Sequence, residues 1–228
     1  MSHILDNPAW EALTTLQAHL AQGGAFARRY LDRLAPIAAV GRADAVALDE
    51  LASLVPAGDW LSLPATVPGL VPLIRPPLKL AFTKTLIQMV WERARVPESP
   101  IPAPLSAADA PEMMELATLT RPGPFKLDTH TFGQFVGIRV DGRLAAMGGQ
   151  RMHLAGYREL SGICTHPDFR GRGYARAIIE RLNAVILDEG LTPFLHLEEA
   201  NLSAKALYDS VGFVERARLP LVVIERVS

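Results

Sequence analysis

The sequence of 228 residues contains a single cysteine, Cys164. An intrachain disulfide is therefore excluded, and so is any cysteine-based metal site built within one chain; a reducing compartment suits such a sequence. An excess of one charge is also missing. Its 23 Lys and Arg residues face 24 Asp and Glu residues, for a net charge of −1 at pH 7. That balance offers no broad attraction to nucleic acid or to an anionic membrane. Long apolar runs are absent too: the stretch from Met1 to Asp6 has no basic region leading into an apolar segment, and elsewhere Lys84 or prolines interrupt the most apolar segments well before membrane-spanning length. The expectation is a cytoplasmic protein with no export signal or membrane anchor. What is present is 49% apolar and 21% charged residues, enough to bury a core in one large domain or two small ones.

Proline and glycine divide the chain. Residues Asn7 to Gly24 repeat Trp10, Leu13, Leu16 and Leu20 at helical spacing. A strand over Pro36 to Val40, a helix over Asp44 to Val55 and a strand over Trp60 to Leu63 follow. Pro64, Pro68, Pro72, Pro76 and Pro77 then forbid a regular interior element. Leu78 to Val90 is apolar enough to be buried, but its pattern leaves strand and helix open. Pro97, Pro100, Pro102 and Pro104 mark an extended segment. The expected organisation is a smaller α/β domain over 1–97, a Pro-rich linker over 98–104 and a second domain over 105–228. In that second unit Ser106 or Asp109 caps a helix through Leu119, with Met113, Leu116 and Ala117 facing inward. Phe135 to Val140 and Leu144 to Met152 flank Asp141-Gly142 as a hairpin, and Tyr157 to Thr165 adds a third strand. Beyond a glycine-rich loop and its helix come a strand over Pro193 to Leu197, a helix over Ser203 to Val211 and a strand over Leu219 to Ile224.

The loop, His166-Pro167-Asp168-Phe169-Arg170-Gly171-Arg172-Gly173-Tyr174-Ala175, leads from that third strand into a helix carrying Ile178, Ile179, Leu182, Val185 and Ile186. The first turn of a helix has backbone N–H groups without internal partners and the positive end of the dipole, so glycines there let an anion approach the bare backbone. The spacing excludes two common phosphate loops. A dinucleotide fingerprint needs Gly or Ala where Arg176 stands, and a P-loop needs a Gly-Lys-Ser/Thr ending.

Arg170, Gly173 and Ala175 do fit the Arg/Gln-x-x-Gly-x-Gly/Ala loop of the GNAT acetyltransferase superfamily. Asn201, Ala204, Leu207, Tyr208, Gly212 and Phe213 fit its Asn-x-x-Ala-x-x-Leu-Tyr-x-x-x-Gly-Phe motif. The chain resembles that superfamily over roughly residues 105–228. The resemblance implies an α+β fold with a mostly antiparallel sheet and a splayed central strand pair, preceded by the smaller α/β unit. That N-terminal half looks like the degenerate GNAT-like half of glycine N-acyltransferase-type members.

The resemblance further implies an enzyme that transfers an acetyl group from acetyl-CoA to a primary amine by direct attack in a ternary complex. The alternative is a non-catalytic acyl-CoA sensor or interaction module. In either case the pyrophosphate would rest on the amides of Arg170, Gly171, Arg172, Gly173, Tyr174 and Ala175, with Arg170, Arg172 or Arg176 adding charge. The pantetheine arm would lie along Ile163, Cys164 and Thr165 like an added strand, and Asn201 would cap the following helix and reach the arm. Tyr208 is the expected acid for the departing thiolate and Glu159 the expected base, with Glu198, Glu199 and His166 in reserve. Cys164 and His166 share a strand face and raise a competing thiolate-imidazole chemistry. Acceptor choice would fall to Arg121 to Gly133, including Lys126, Asp128 and His130, and to the N-terminal half. No metal, nucleic acid or membrane partner is expected. Acceptor identity and homodimerisation stay open.

Overall fold

A computed structural model describes residues 3–65, 67–93 and 102–227. Helix α1 (Pro8–Thr14) starts with Pro8, whose fixed φ suits the first helical position, and buries Ala9, Ala12 and Leu13. It stops well short of the expected Gly24. The Thr14 and Thr15 hydroxyls donate back to the carbonyls of Trp10 and Glu11, a local alternative to helix propagation. The chain then enters β1 (Ala21–Gly23), β2 (Ala27–Tyr30) and β3 (Ala38–Val40), a small antiparallel sheet. Helix α2 (Ala45–Leu54) is capped by Asp44, whose Oδ1 accepts from the Ala47 N–H at 2.9 Å.

Next come β4 (Trp60–Pro64) and the 14-residue β5 (Leu78–Trp91). The segment that the sequence left undecided is thus a strand. Leu86 to Met89 are all buried, because this part of β5 has a strand on each side and is covered on both faces; a two-residue alternation cannot appear there. The remaining elements are β6 (Ala103–Leu105), α3 (Ala110–Thr120), β7 (Phe135–Val140), β8 (Arg143–Leu154), β9 (Tyr157–Thr165), α4 (Tyr174–Asp188), β10 (Thr192–Glu198), α5 (Leu202–Val211) and β11 (Phe213–Arg226). The β7–β8 turn is as expected for Asp-Gly, with both central residues at positive φ, 51° for Asp141 and 80° for Gly142.

Eight strands form one sheet in the order β4-β11-β5-β10-β9-β8-β7-β6. This corrects the expected division at residue 97. β4 and β5 come from the N-terminal portion but belong to the main sheet, and β5 lies between β10 and β11, pairing antiparallel with both. The expected linker is corrected in part as well: Ala103–Leu105 is an edge strand on β7, and residues 94–101 lie outside the described part of the chain.

Every pairing in the large sheet is antiparallel except β9 with β10. That parallel pair runs in register from Tyr157 opposite Thr192 to Leu160 opposite Leu195 and stops there. Ser161–Thr165 and His196–Glu198 therefore diverge, and the sheet opens at its centre. Ile178, Ile179, Leu182 and Ile186 of α4 pack on one face against Val136, Ile138, Ala146 and Leu160. Each such side chain contributes about 2 kcal/mol by burial. On another side of the sheet Leu5, Ala9 and Leu13 pack with Tyr30, Phe132, Met152 and Phe194. No helix among the described residues is long and apolar enough to cross a membrane.

Candidate active site

The loop before α4 is built for backbone exposure. Gly171 and Gly173 take φ of 74° and 77°, in the left-handed region that other residues enter only with strain. Gly173 is the N-cap of α4 and offers no side-chain acceptor, so the first-turn amides stay uncapped. The arginines do not act as a set. Arg170 Nε lies 3.5 Å from the Thr165 carbonyl, Arg172 stacks over the Phe169 ring at 5.3 Å, and Arg176 donates to Ser210 Oγ at 2.7 Å. Arg176 thus ties α4 to α5.

A bulge interrupts β9 where the sheet opens. Ser161 pairs with Gly149 and Cys164 with Met147, so Gly162 and Ile163 together oppose Gly148, with Gly162 at φ 65°. A bulge turns backbone groups out of the ladder, here beside the gap between β9 and β10. Two cavities meet at that gap. One, of 640 Å3, is lined by Ile163, Cys164, Thr165 and the loop from Phe169 to Arg176. The other, of 380 Å3, takes in Arg151, Ser161, His196 and Glu198, with Ser62 and Leu86 from the N-terminal portion. Arg121, Pro122, Ile163, Asn201, Ala204 and Tyr208 line both.

Tyr208, on α5, sits at this junction with its ring edge-on to Phe213 at 5.8 Å. Burial pushes its phenol up to about 12, so the hydroxyl keeps its proton through neutral pH. No protein group among the described residues hydrogen-bonds that hydroxyl. Asn201 caps α5, its Oδ1 accepting from the Ala204 N–H at 3.2 Å and from Ser203 Oγ at 3.1 Å. Asn201 lines both cavities.

Glu159 is not placed as a base. Its side chain is fully buried and lines neither cavity. Arg151 donates through Nε and Nη2 to its two oxygens, both at 2.7 Å, and His196 Nδ1 lies 2.8 Å from Oε1. Burial alone would raise this carboxyl, but the charge and paired donors of Arg151, helped by His196, hold it down to about 2. A carboxylate so committed has neither the basicity nor the access to collect a substrate proton. The network also fixes the imidazole. Gln88 Oε1 accepts from Arg216 at 2.6 Å, so the Gln88 amide nitrogen donates to the Leu5 carbonyl and to His196 Nε2, both at 2.9 Å. Nε2 is then the acceptor, and Nδ1 carries the proton given to Glu159.

Two further expectations change. Cys164 packs with Met113, Leu116, Phe135 and Met147, and burial pushes its thiol up to about 11 against the effect of a Thr120 hydrogen bond. His166 accepts from the Asp168 N–H at 3.2 Å, so no activated cysteine pair is formed. Lys126, Asp128 and His130 line neither cavity. Lys126 pairs with Asp32 at 3.0 Å, Asp128 with Arg33 at 3.2 Å, and His130 Nδ1 meets the Leu127 carbonyl at 2.9 Å. From the same region Arg121 to Pro124 line the smaller cavity instead, starting from Arg121 at φ 51° where α3 ends. Glu198 lines the smaller cavity and pairs with Lys84 at 2.9 Å, while Glu199 is taken by Arg218. Sequence spacing gave no sign of His196, which reaches the site through the pairing of β9 and β10.

Fold and site together define an αβ protein in which a glycine-rich loop with uncapped helix amides and a small polar-apolar cavity converge on one tyrosine. The family described as FR47-like protein matches residues 135–220. A GNAT-family structure from Novosphingobium aromaticivorans is 35% identical over 100% of both chains, with a TM-score of 0.90. A GCN5-related N-acetyltransferase from Kribbella flavida is 19% identical over 97% of this chain and 96% of its own, at 0.68. A GCN5-related N-acetyltransferase-like protein from Streptococcus suis is 14% identical over 96% and 93%, at 0.61. These last two share the fold. No curated protein matches the chain. The chain belongs to the GNAT family.

Proposed function

We propose that this protein is an acyl-CoA-dependent N-acetyltransferase that moves an acetyl group from acetyl-CoA to a primary amine by direct attack in a ternary complex. The observation that carries the reading is the meeting of the two cavities at Tyr208, Asn201 and Ile163 over the gap between β9 and β10. The chain's own groups fit the donor. Uncapped amides at the start of α4 suit a pyrophosphate, and the unpaired edge of Ile163–Thr165 suits an extended arm with amide groups. Acetyl-CoA would supply the acetyl thioester.

The amine nitrogen forms its bond to the acetyl carbon as the carbon–sulfur bond breaks. A backbone N–H freed by the Gly162–Ile163 bulge stabilises the carbonyl oxygen, Tyr208 gives its proton to the departing sulfur, and the second proton lost by the nitrogen as the amide forms restores the phenol by way of water. The carboxylate that lines the acceptor cavity is Glu198, and in place of Glu159 it takes the proton of the incoming ammonium, directly or through water. Isothermal calorimetry with acetyl-CoA and an untargeted amine screen read by mass test the reading. Binding together with a product 42 Da heavier than one amine (about the mass of a ketene unit added by acetylation) is the expected result. Binding without turnover of any amine would favour a sensor, and no binding at millimolar ligand would sink both.

A further inference from the structure

The smaller cavity has a feature that acetyl transfer to a simple amine does not use. A guanidinium carries five N–H donors in a planar fork. Glu159 occupies the Nε–Nη2 edge of Arg151, and the remaining donors meet no protein acceptor among the described residues. The Arg151 side chain is only 11% exposed, yet it lines the cavity. An arginine with one edge clamped has lost its rotamer freedom before any ligand arrives, so its open Nη1–Nη2 edge is already aimed.

The charges point the same way. Glu159 compensates Arg151, and Lys84 compensates Glu198. Arg121, exposed at the shared wall, has no ion-pair partner among the described residues and leaves the cavity with an uncompensated positive charge. Ile37, Leu86, Leu160 and Leu221 give the wall an apolar part, beside the polar Ser62, Ser161, His196 and Asn201. A volume of 380 Å3 is that of a small-molecule site.

From this arrangement we infer that the acceptor is an amine that also carries a carboxylate, an amino acid with an apolar side chain, whose carboxylate takes the open edge of Arg151. The inference rests on the transfer reading above and deepens it. The carboxylate is bound bidentately, with Arg121 adding long-range attraction; the amine is left toward Glu198 and the junction at Tyr208, and the side chain lies against Leu86 and Ile37.

The test compares leucine, leucinamide and 3-methylbutylamine as acceptors at saturating acetyl-CoA, using the full chain. Charge-assisted hydrogen bonds of this kind predict a kcat/KM for leucine about 10- to 100-fold above that of 3-methylbutylamine, with leucinamide between. In Arg151→Lys, which keeps the charge but not the fork, the ratio of kcat/KM for leucine to that for 3-methylbutylamine should fall toward one, through the KM for leucine. Equal or better use of 3-methylbutylamine by the parent protein overturns the proposal whether or not the variant folds, as does an equal loss for both acceptors in the variant. Turnover of other amines but none of these three overturns this proposal and leaves the transfer reading standing. Absence of acetyl-CoA binding defeats the transfer reading itself.

Discussion

Replacing Glu159 with Gln separates a catalytic base from a buried counter-ion. In the folded protein the Glu159 carboxylate, itself out of contact with solvent, holds Arg151 through two bonds of 2.7 Å and receives His196 at 2.8 Å. Removing one member of a buried ion pair strands the other charge in low dielectric and costs about 3–5 kcal/mol. For a chain of this size each kcal/mol moves the melting point by about 2–4 °C, so Glu159→Gln should melt about 6–20 °C lower by calorimetry. Its pH dependence has a definite sign. The carboxyl is held at about 2 in the fold against an ordinary 4.5, so its stabilisation is complete above pH 4.5 and is lost as pH falls toward 2. The parent should lose stability across that window and the variant should lack that component. At a temperature well below both melting points kcat should change by less than about tenfold, whereas loss of a general base costs about 100- to 10,000-fold. An unchanged melting point with a kcat loss of two orders or more would refute the assignment of Glu159 to the scaffold. Adding Arg151→Met to Glu159→Leu should recover most of the stability, because an apolar pair of similar volume leaves no charge behind.

Other substitutions address the remaining parts of the site. Tyr208→Phe should lower kcat by about 100- to 10,000-fold while calorimetry finds acetyl-CoA binding unchanged. Gly173→Ala places a Cβ at φ 77° and should cost about 1–2 kcal/mol of local strain, seen as weaker acetyl-CoA binding with the amine KM unaffected. Leu86→Trp fills the acceptor cavity from β5 and should raise the amine KM without changing the acetyl-CoA Kd. Asn201→Ala removes the cap of α5 and should lower the melting point by about 2–4 °C, the equivalent of about 1 kcal/mol.

Much of the fold was legible where the chemistry is local. Asp141-Gly142 set its hairpin, Gly212 ended α5 in a left-handed conformation, and the glycines before α4 announced an uncapped helix start, because each requires only its own φ and ψ. The motif residues Asn201 and Tyr208 followed from the resemblance to the GNAT superfamily and do line the junction. Illegible were the partners fixed by long-range pairing. Nothing near Glu159 in sequence announces that His196, on a parallel strand, will close on it. Two-sided burial hid β5 as a strand, and its place in the sheet depends on strands formed by residues more than a hundred positions later. Assigning that strand to a separate N-terminal unit produced the mistaken domain boundary.

The position of β5 also governs how the sheet can be assembled. During synthesis residues 78–91 emerge before either neighbour exists, since β10 begins at Thr192 and β11 at Phe213. One of the most apolar strands in the chain must wait without partners on both sides while the hairpin and α4 form. Its contacts then arrive late and at high sequence separation, which slows folding and leaves strand edges exposed to intermolecular pairing in the meantime. The converse holds for a fragment starting near residue 103, in which β10 and β11 would each present an open edge where β5 belongs. Sheet closure thus couples the two ends of the chain in time as well as in space, and the smaller cavity, walled by Leu86, exists only once that late insertion is complete.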